Sequence, residues 1–166
     1  TLDETSKKKL NQKVEELSQK GYRALGVAMS TIEDLEDIQF VGLISLADPP
    51  RPDSKSMIAG MRELGVKPLM LTGDNIAIAK EIAMQVGIGD KIIRMDDIRN
   101  LNETEQAKII NESDGFAEIY PEDKYKIVKL LQSKGHMVGM TGDGVNDAPA
   151  LKQAELGIAV SSATDV

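Results

Sequence analysis

The chain has no cysteine, no tryptophan, one histidine and five aromatic side chains in all, three Tyr and two Phe. Without cysteine there is no disulfide framework, thiolate zinc site or cysteine nucleophile. Basic residues are also short, 20 Lys and Arg against 27 Asp and Glu, a net charge of −7. Nucleic-acid binders need a basic face and aromatic stacking platforms, so that class is excluded as a partner. Long apolar runs are missing too. The clearest apolar stretch is 41–47, far short of the roughly 20 residues that cross a bilayer. Thr1-Leu2-Asp3-Glu4 is not the start of a signal peptide. The expectation is an acidic, soluble domain compatible with the cytosol.

What is present is enough for a core. At 166 residues and 41% hydrophobic content the chain fits one domain, or one domain with a remnant of another. Apolar spacing predicts a helix over 6–20 with Leu10, Val14 and Leu17 on one face, then strands over 22–29 and 39–46 flanking an acidic connector at 33–37. Asp48-Pro49-Pro50-Arg51-Pro52 makes a stiff joint of the kind found between domains. Beyond it helices are expected over 53–64 (Met57, Met61 and Leu64 on one face), 75–86, 103–111, 121–133 and 147–154. Strands are expected over 68–71, 92–93, 115–119, 137–140 and 157–160. Strands alternating with helices predict an α/β fold with a mostly parallel sheet flanked by helices.

One element occurs twice. Leu71-Thr72-Gly73-Asp74 and Met140-Thr141-Gly142-Asp143 each close an apolar strand and open a helix. Ligands in open parallel sheets sit off the carboxyl ends of strands, so both turns are expected at one edge. In the second, Gly142 and Gly144 let the backbone approach a ligand, and Asp143 and Asp147 offer two carboxylates to a hard cation. The alternative for Asp147 is a helix cap, with Pro149 in the first turn. Gly139-x4-Gly144 continues into Val145-Asn146 rather than Lys-Ser or Lys-Thr, so it is not a P-loop.

Lys124 shares a helical stripe with Ile127, Val128 and Leu131, an odd place for an amine unless an anion meets it. The alternative is an amine that snorkels to water. At Thr72-Gly73-Asp74 a hydroxyl and backbone N–H groups suit a phosphate oxygen, while Thr72 or Asp74 could instead only cap the helix. Together these are parts of a Mg²⁺-assisted phosphoryl-transfer site without a nucleophile. His136 reads as a surface residue and Lys7-Lys8-Lys9 as solvated helix.

These residues resemble the phosphorylation domain of P-type cation-transporting ATPases, within the haloacid-dehalogenase superfamily. The resemblance covers roughly 40–166. It rests on Thr141-Gly142-Asp143-Gly144-Val145-Asn146-Asp147-Ala148-Pro149-Ala150-Leu151-Lys152, on Thr72-Gly73-Asp74, on Pro121-Glu122-Asp123-Lys124 and on Asp48-Pro49-Pro50-Arg51, in the family's order. Asp114-Gly115-Phe116-Ala117-Glu118 is most similar to the plasma-membrane proton pumps, where many other cation pumps carry Arg in place of Glu118.

The resemblance implies a haloacid-dehalogenase-like Rossmannoid fold. Residues 1–39 would be the end of a nucleotide-binding domain and 40–166 the C-terminal part of the phosphorylation domain. It also implies Mg²⁺ and ATP as cofactors. Asp143 would be the Mg²⁺ ligand with Asp147 beside it. Thr72 and Lys124 would hold phosphoryl oxygens, Gly73 would give a backbone contact, Asn146 would line the site and Asp74 would seat the nucleotide. The implied setting is the cytoplasmic face of a membrane, with membrane helices, nucleotide-binding domain and actuator domain as partners.

The family's Asp-Lys-Thr-Gly signature is absent, since no Asp in this chain precedes Lys-Thr. Its strand belongs between those ending at Thr72 and Thr141, so the sheet is expected to lack its centre, and an unpaired edge is a route to self-association. The chain alone is therefore expected to be inactive. Two rivals remain: a free-standing phosphatase of the same superfamily, and a non-enzymatic receiver-like module.

Overall fold

The computed structural model describes residues 3–30 and 38–160. The acidic connector expected at 33–37 lies outside them. The first helix, α1 (Glu4–Ser18), starts two residues earlier than its apolar spacing implied, because Asp3 accepts a hydrogen bond from Ser6 N at 2.6 Å and caps it. Gly21, at φ +79°, turns the chain into β1 (Arg23–Ser30), which pairs antiparallel with β2 (Ile38–Leu46). That ladder continues past the boundary expected at 39/40, with one register shift between Val27 and Ala28 that leaves Val41 without a partner in β1. Both faces of the ribbon stay open: Leu25, Met29, Val41 and Ile44 are all more than half exposed.

After the proline joint comes α2 (Ser54–Glu63), which buries no residue completely. The stripe of Met57, Met61 and Leu64 faces outward, with Leu64 83% exposed, and Ile58 makes the core contact instead. Next are β3 (Met70–Leu71), α3 (Ile76–Val86), β4 (Ile92–Arg94), a short α4 (Met95–Ile98) that the sequence pattern did not disclose, and α5 (Glu103–Glu112). They are followed by β5 (Gly115–Ala117), α6 (Pro121–Ser133), β6 (Gly139–Gly142), a 3₁₀ turn at Val145–Asp147, α7 (Ala148–Gln153) and β7 (Leu156–Ala159). Local chemistry explains the helix ends. Asn75 accepts from Ala77 N and Asn102 from Glu105 N, Pro121 occupies the first turn of α6, and Gly87 ends α3 in the left-handed region.

Among the described residues the strands fall into three separate sheets. Besides the ribbon there is a parallel sheet of order β3-β5-β4 and a parallel pair β6-β7. Alternation along the strands builds two cores on opposite faces of β5. Phe116, 0% exposed, packs with Met95, Ile98, Ile110, Ile119, Ile127 and Leu130; Ala117 packs with Ala79, Ala83, Val86, Ile88 and Ile92. Gly115 is required at the centre, since a Cβ there would lie 2.6 Å from Met70 O. A third cluster, Val128, Met140 and Ala150, ties α6 to β6 and α7. Leu71 packs against both the first and the third cluster, which sets the end of β3 beside the end of β6 without a ladder between them. Among the described residues no helix is long and apolar enough to cross a membrane.

Candidate phosphoryl-transfer site

Both Thr-Gly-Asp turns sit at the carboxyl ends of parallel strands, β3 and β6, as the repeated element required. At the second turn the chain leaves β6 through Gly142 and enters the 3₁₀ turn. A Cβ on Gly142 would stand 2.6 Å from the Asp147 side chain, so only glycine lets Asp147 fold back beneath the strand end. There Asp147, 5% exposed, accepts from Lys124 Nζ at 2.5 Å on Oδ1, and Asp143 N approaches Oδ2 at 3.4 Å. Asp147 makes no side-chain capping bond to α7, so the capping alternative does not describe it. Nor does Lys124 snorkel: its side chain is 18% exposed and its amine is spent on Asp147.

Asp143 is different. Its side chain is exposed, and its carboxylate has no hydrogen bond or ion pair among the described residues. Asn146 is exposed on the same turn. Among the described residues no three acidic or histidine side chains gather to enclose a metal. Two oxygen-donor carboxylates, one open and one buried, nevertheless fit Mg²⁺, which commonly takes one or two carboxylates and completes its shell with water and substrate phosphate.

The first turn is built by internal hydrogen bonds. Thr72 Oγ1 donates to Asp74 Oδ2 at 3.0 Å and accepts from Asp74 N at 3.1 Å. Asn75, not Thr72 or Asp74, caps α3. Gly73 is exposed at the apex. Asp74 Oδ1 accepts from Arg23 Nε at 2.8 Å and also pairs with the same guanidinium through Nη2.

Arg23 and Glu118 are the site residues that sequence reasoning did not place. Arg23 is 51 residues from Asp74, and no local pattern marks it. Glu118 stands immediately after β5, accepts from Ile76 N at 3.2 Å and pairs with Arg94 at 3.4 Å. Thus Lys124, Asp143 and Asp147 converge directly, Thr72, Gly73 and Asp74 form a second group, and Leu71 joins the two through the shared core.

The sequence model of the haloacid dehalogenase-like hydrolases matches residues 3–155. A protein of Methanocaldococcus jannaschii named as a cation-transporting ATPase is 50% identical over 98% of this chain and 21% of its own length. A plasma membrane ATPase of Dictyostelium discoideum is 48% identical over 94% of the chain and 15% of its own length. Plasma membrane ATPase 1 of Saccharomyces cerevisiae is 44% identical over 92% and 17%. The chain therefore spans about a fifth or less of these relatives. By the matched residues and these identities, it belongs to the haloacid dehalogenase-like hydrolase family and is homologous, over nearly its full length, to a segment of P-type cation-transporting and plasma membrane ATPases.

Proposed function

We propose that this chain supplies the Mg²⁺- and phosphate-stabilising half of the phosphorylation site of an ATP-driven cation pump, of the proton-pump type. The observation that carries the reading is the Lys124–Asp147 contact beneath Gly142, with an unpartnered Asp143 above it at a strand's carboxyl end. In the intact pump an aspartate from outside this chain attacks the γ-phosphorus of ATP. The bond to the β,γ-bridging oxygen breaks, ADP leaves and an aspartyl phosphate forms. Water then attacks that phosphorus, the bond to the carboxylate oxygen breaks, the carboxylate is regenerated and inorganic phosphate is released.

The transition state spreads charge over the three equatorial phosphoryl oxygens, and positioned donors stabilise it. Lys124 would supply the cation, and from the other side the Gly73 N–H would donate together with the Thr72 hydroxyl, turned from Asp74 Oδ2 to the phosphoryl oxygen. Asp143 and Asp147 would hold Mg²⁺, which when bound neutralises phosphate charge as a Lewis acid. Asn146 would line the same site, and Asp74, already paired with Arg23, would face the nucleotide.

The unpaired sides of β3 and β6 support a place for the missing strand, since each pairs on one side only among the described residues. The β1–β2 pairing supports reading the ribbon as one unit with α1, from the nucleotide-binding domain, with Asp48 to Arg51 in the hinge. Membrane helices and the actuator domain would be further parts of the same pump. Titration with Mg²⁺ and inorganic phosphate, followed by backbone amide shifts, tests the reading: responses are expected at 72–75 and 141–147, and their absence overturns it.

A further inference from the structure

Six described residues have positive φ, and five of them are glycine. The sixth is Glu118, at φ +57°. A side chain with a Cβ is strained in the left-handed region, and glycine would make the same turn without strain. The carboxylate must therefore serve the position in a way glycine cannot. Two backbone bonds hold the turn whatever the side chain, and a third belongs to the carboxylate alone. Glu118 N donates to Asp74 O at 3.0 Å, and Ile119 N donates to Thr72 O at 3.2 Å. Glu118 Oε1 accepts from Ile76 N at 3.2 Å, one of the donors that a helix start leaves without an intrahelical partner. Arg94 Nε, 3.4 Å from the same oxygen, fixes the carboxylate from the end of β4. The turn 72–76 is thus clamped at both ends to residues 118–119.

We infer that Glu118 is a positioning residue, which holds the Thr72-Gly73-Asp74 turn in the geometry that receives a phosphoryl group. This rests on the phosphoryl-site reading above. Strained backbone concentrates where surrounding structure fixes a functional geometry, and here the fixed object is a turn whose donors act only if aimed.

The test compares Glu118→Gln, Glu118→Ala and Glu118→Gly in the full chain. Gln keeps an oxygen acceptor, Ala loses it and keeps the strain, and Gly loses it and relieves the strain. Hydrogen exchange at Ile76 is expected to quicken in the Ala and Gly variants and stay close to wild type in Gln, with amide shifts at 72–74 moving in the same pattern. Binding of inorganic phosphate with Mg²⁺ is expected to weaken about two- to tenfold in both Ala and Gly, the effect of losing one hydrogen bond, and to recover in Gln. The Gly variant is expected to melt no lower than Ala yet bind no better, a split that a purely structural role would not give. Phosphate binding in Gly equal to wild type overturns the inference while leaving the site reading intact. If the wild type itself shows no phosphate response, the site reading fails, and exchange at Ile76 with the 72–74 shifts still decides whether Glu118 holds the turn.

Discussion

Lys124 Nζ lies 2.5 Å from Asp147 Oδ1, joining α6 to the turn after β6 across 23 residues of sequence, with both side chains largely buried. Removing one partner leaves a desolvated charge without compensation. Lys124→Ala is expected to cost about 3 kcal/mol, the lower end of the range for breaking a buried pair, because the lysine keeps some contact with water. The double variant Lys124→Met with Asp147→Leu is expected to recover most of that loss, since it removes both charges. Urea denaturation of the two variants checks this; equal destabilisation would show that packing, not charge, dominates.

Asp143 presents the opposite case. It is exposed and unpartnered among the described residues, so nothing in the fold needs its charge. Asp143→Asn is expected to leave stability within about 0.5 kcal/mol of wild type, as for surface substitutions. The same change is expected to abolish Mg²⁺-dependent amide shifts at 141–147. A stable variant that still responds to Mg²⁺ would remove Asp143 from the site.

The elements that could be read from the sequence are those whose ends are set by neighbours in the chain. Asn75, Gly87 and Pro121 bound their helices through contacts a few residues away, and β5 stood out as an apolar run. Both Thr-Gly-Asp turns were legible for the same reason. What was not legible depends on distant partners. The Met57–Met61–Leu64 stripe has the period of a buried face, but period does not say whether anything lies opposite it. Sheet pairing is likewise non-local, so the order β3-β5-β4 could not be read from spacing. Arg23 finds Asp74 only in three dimensions, and the early stop of β5 at Ala117 follows from Glu118, a residue type that does not signal a left-handed turn.

Phe116 is the centre of the larger core and is fully buried. Phe116→Ala is expected to destabilise the chain by about 3–5 kcal/mol, combining lost burial with the cavity left behind. Because Ile119 and Ile127 share that cluster, loosening there reaches the clamp at Thr72 and the helix that carries Lys124. Thermal unfolding and the Thr72 amide shift should change together; a Thr72 shift that stays fixed would show that the site is insulated from the core.

Acid is expected to loosen the β6–β7 end first. Val138 N donates to Glu155 Oε2 at 2.8 Å and Gln132 Nε2 to Oε1 at 2.8 Å. The bond from Val138 is the main cause that holds this carboxyl below its ordinary 4.5. A carboxyl lowered in the folded state contributes stability above its unfolded value, and the contribution is lost as pH falls through the folded one. Asp3 behaves alike at the start of α1, where the Ser6 amide lowers it from 3.8. Melting temperature is therefore expected to fall below about pH 4.5, less steeply in Glu155→Gln. The Val138 amide shift should follow the same acid limb, and an unchanged limb in the variant would assign the loss elsewhere.

Phosphoenzyme formation is expected to need an aspartate that the sequence of this chain does not place. It carries 27 acidic residues, but none sits in an Asp-Lys-Thr-Gly sequence. The carboxylates that approach the site are already engaged or suited to a cation: Asp147 meets Lys124, Asp74 meets Arg23, and Asp143 projects from a glycine-flanked turn. A nucleophile must instead reach the phosphorus in line, about 3–3.5 Å away, with its charge free to attack. Incubation of the chain with Mg²⁺ and γ-³²P-labelled ATP is therefore expected to give no acid-stable incorporation. Extending the parent sequence to include an Asp-Lys-Thr-Gly strand is expected to restore it, with the label on that aspartate. Label on the unextended chain, mapped to Asp143 or Asp147, would make one of them an acceptor and replace the pump reading with that of a self-sufficient phosphotransferase.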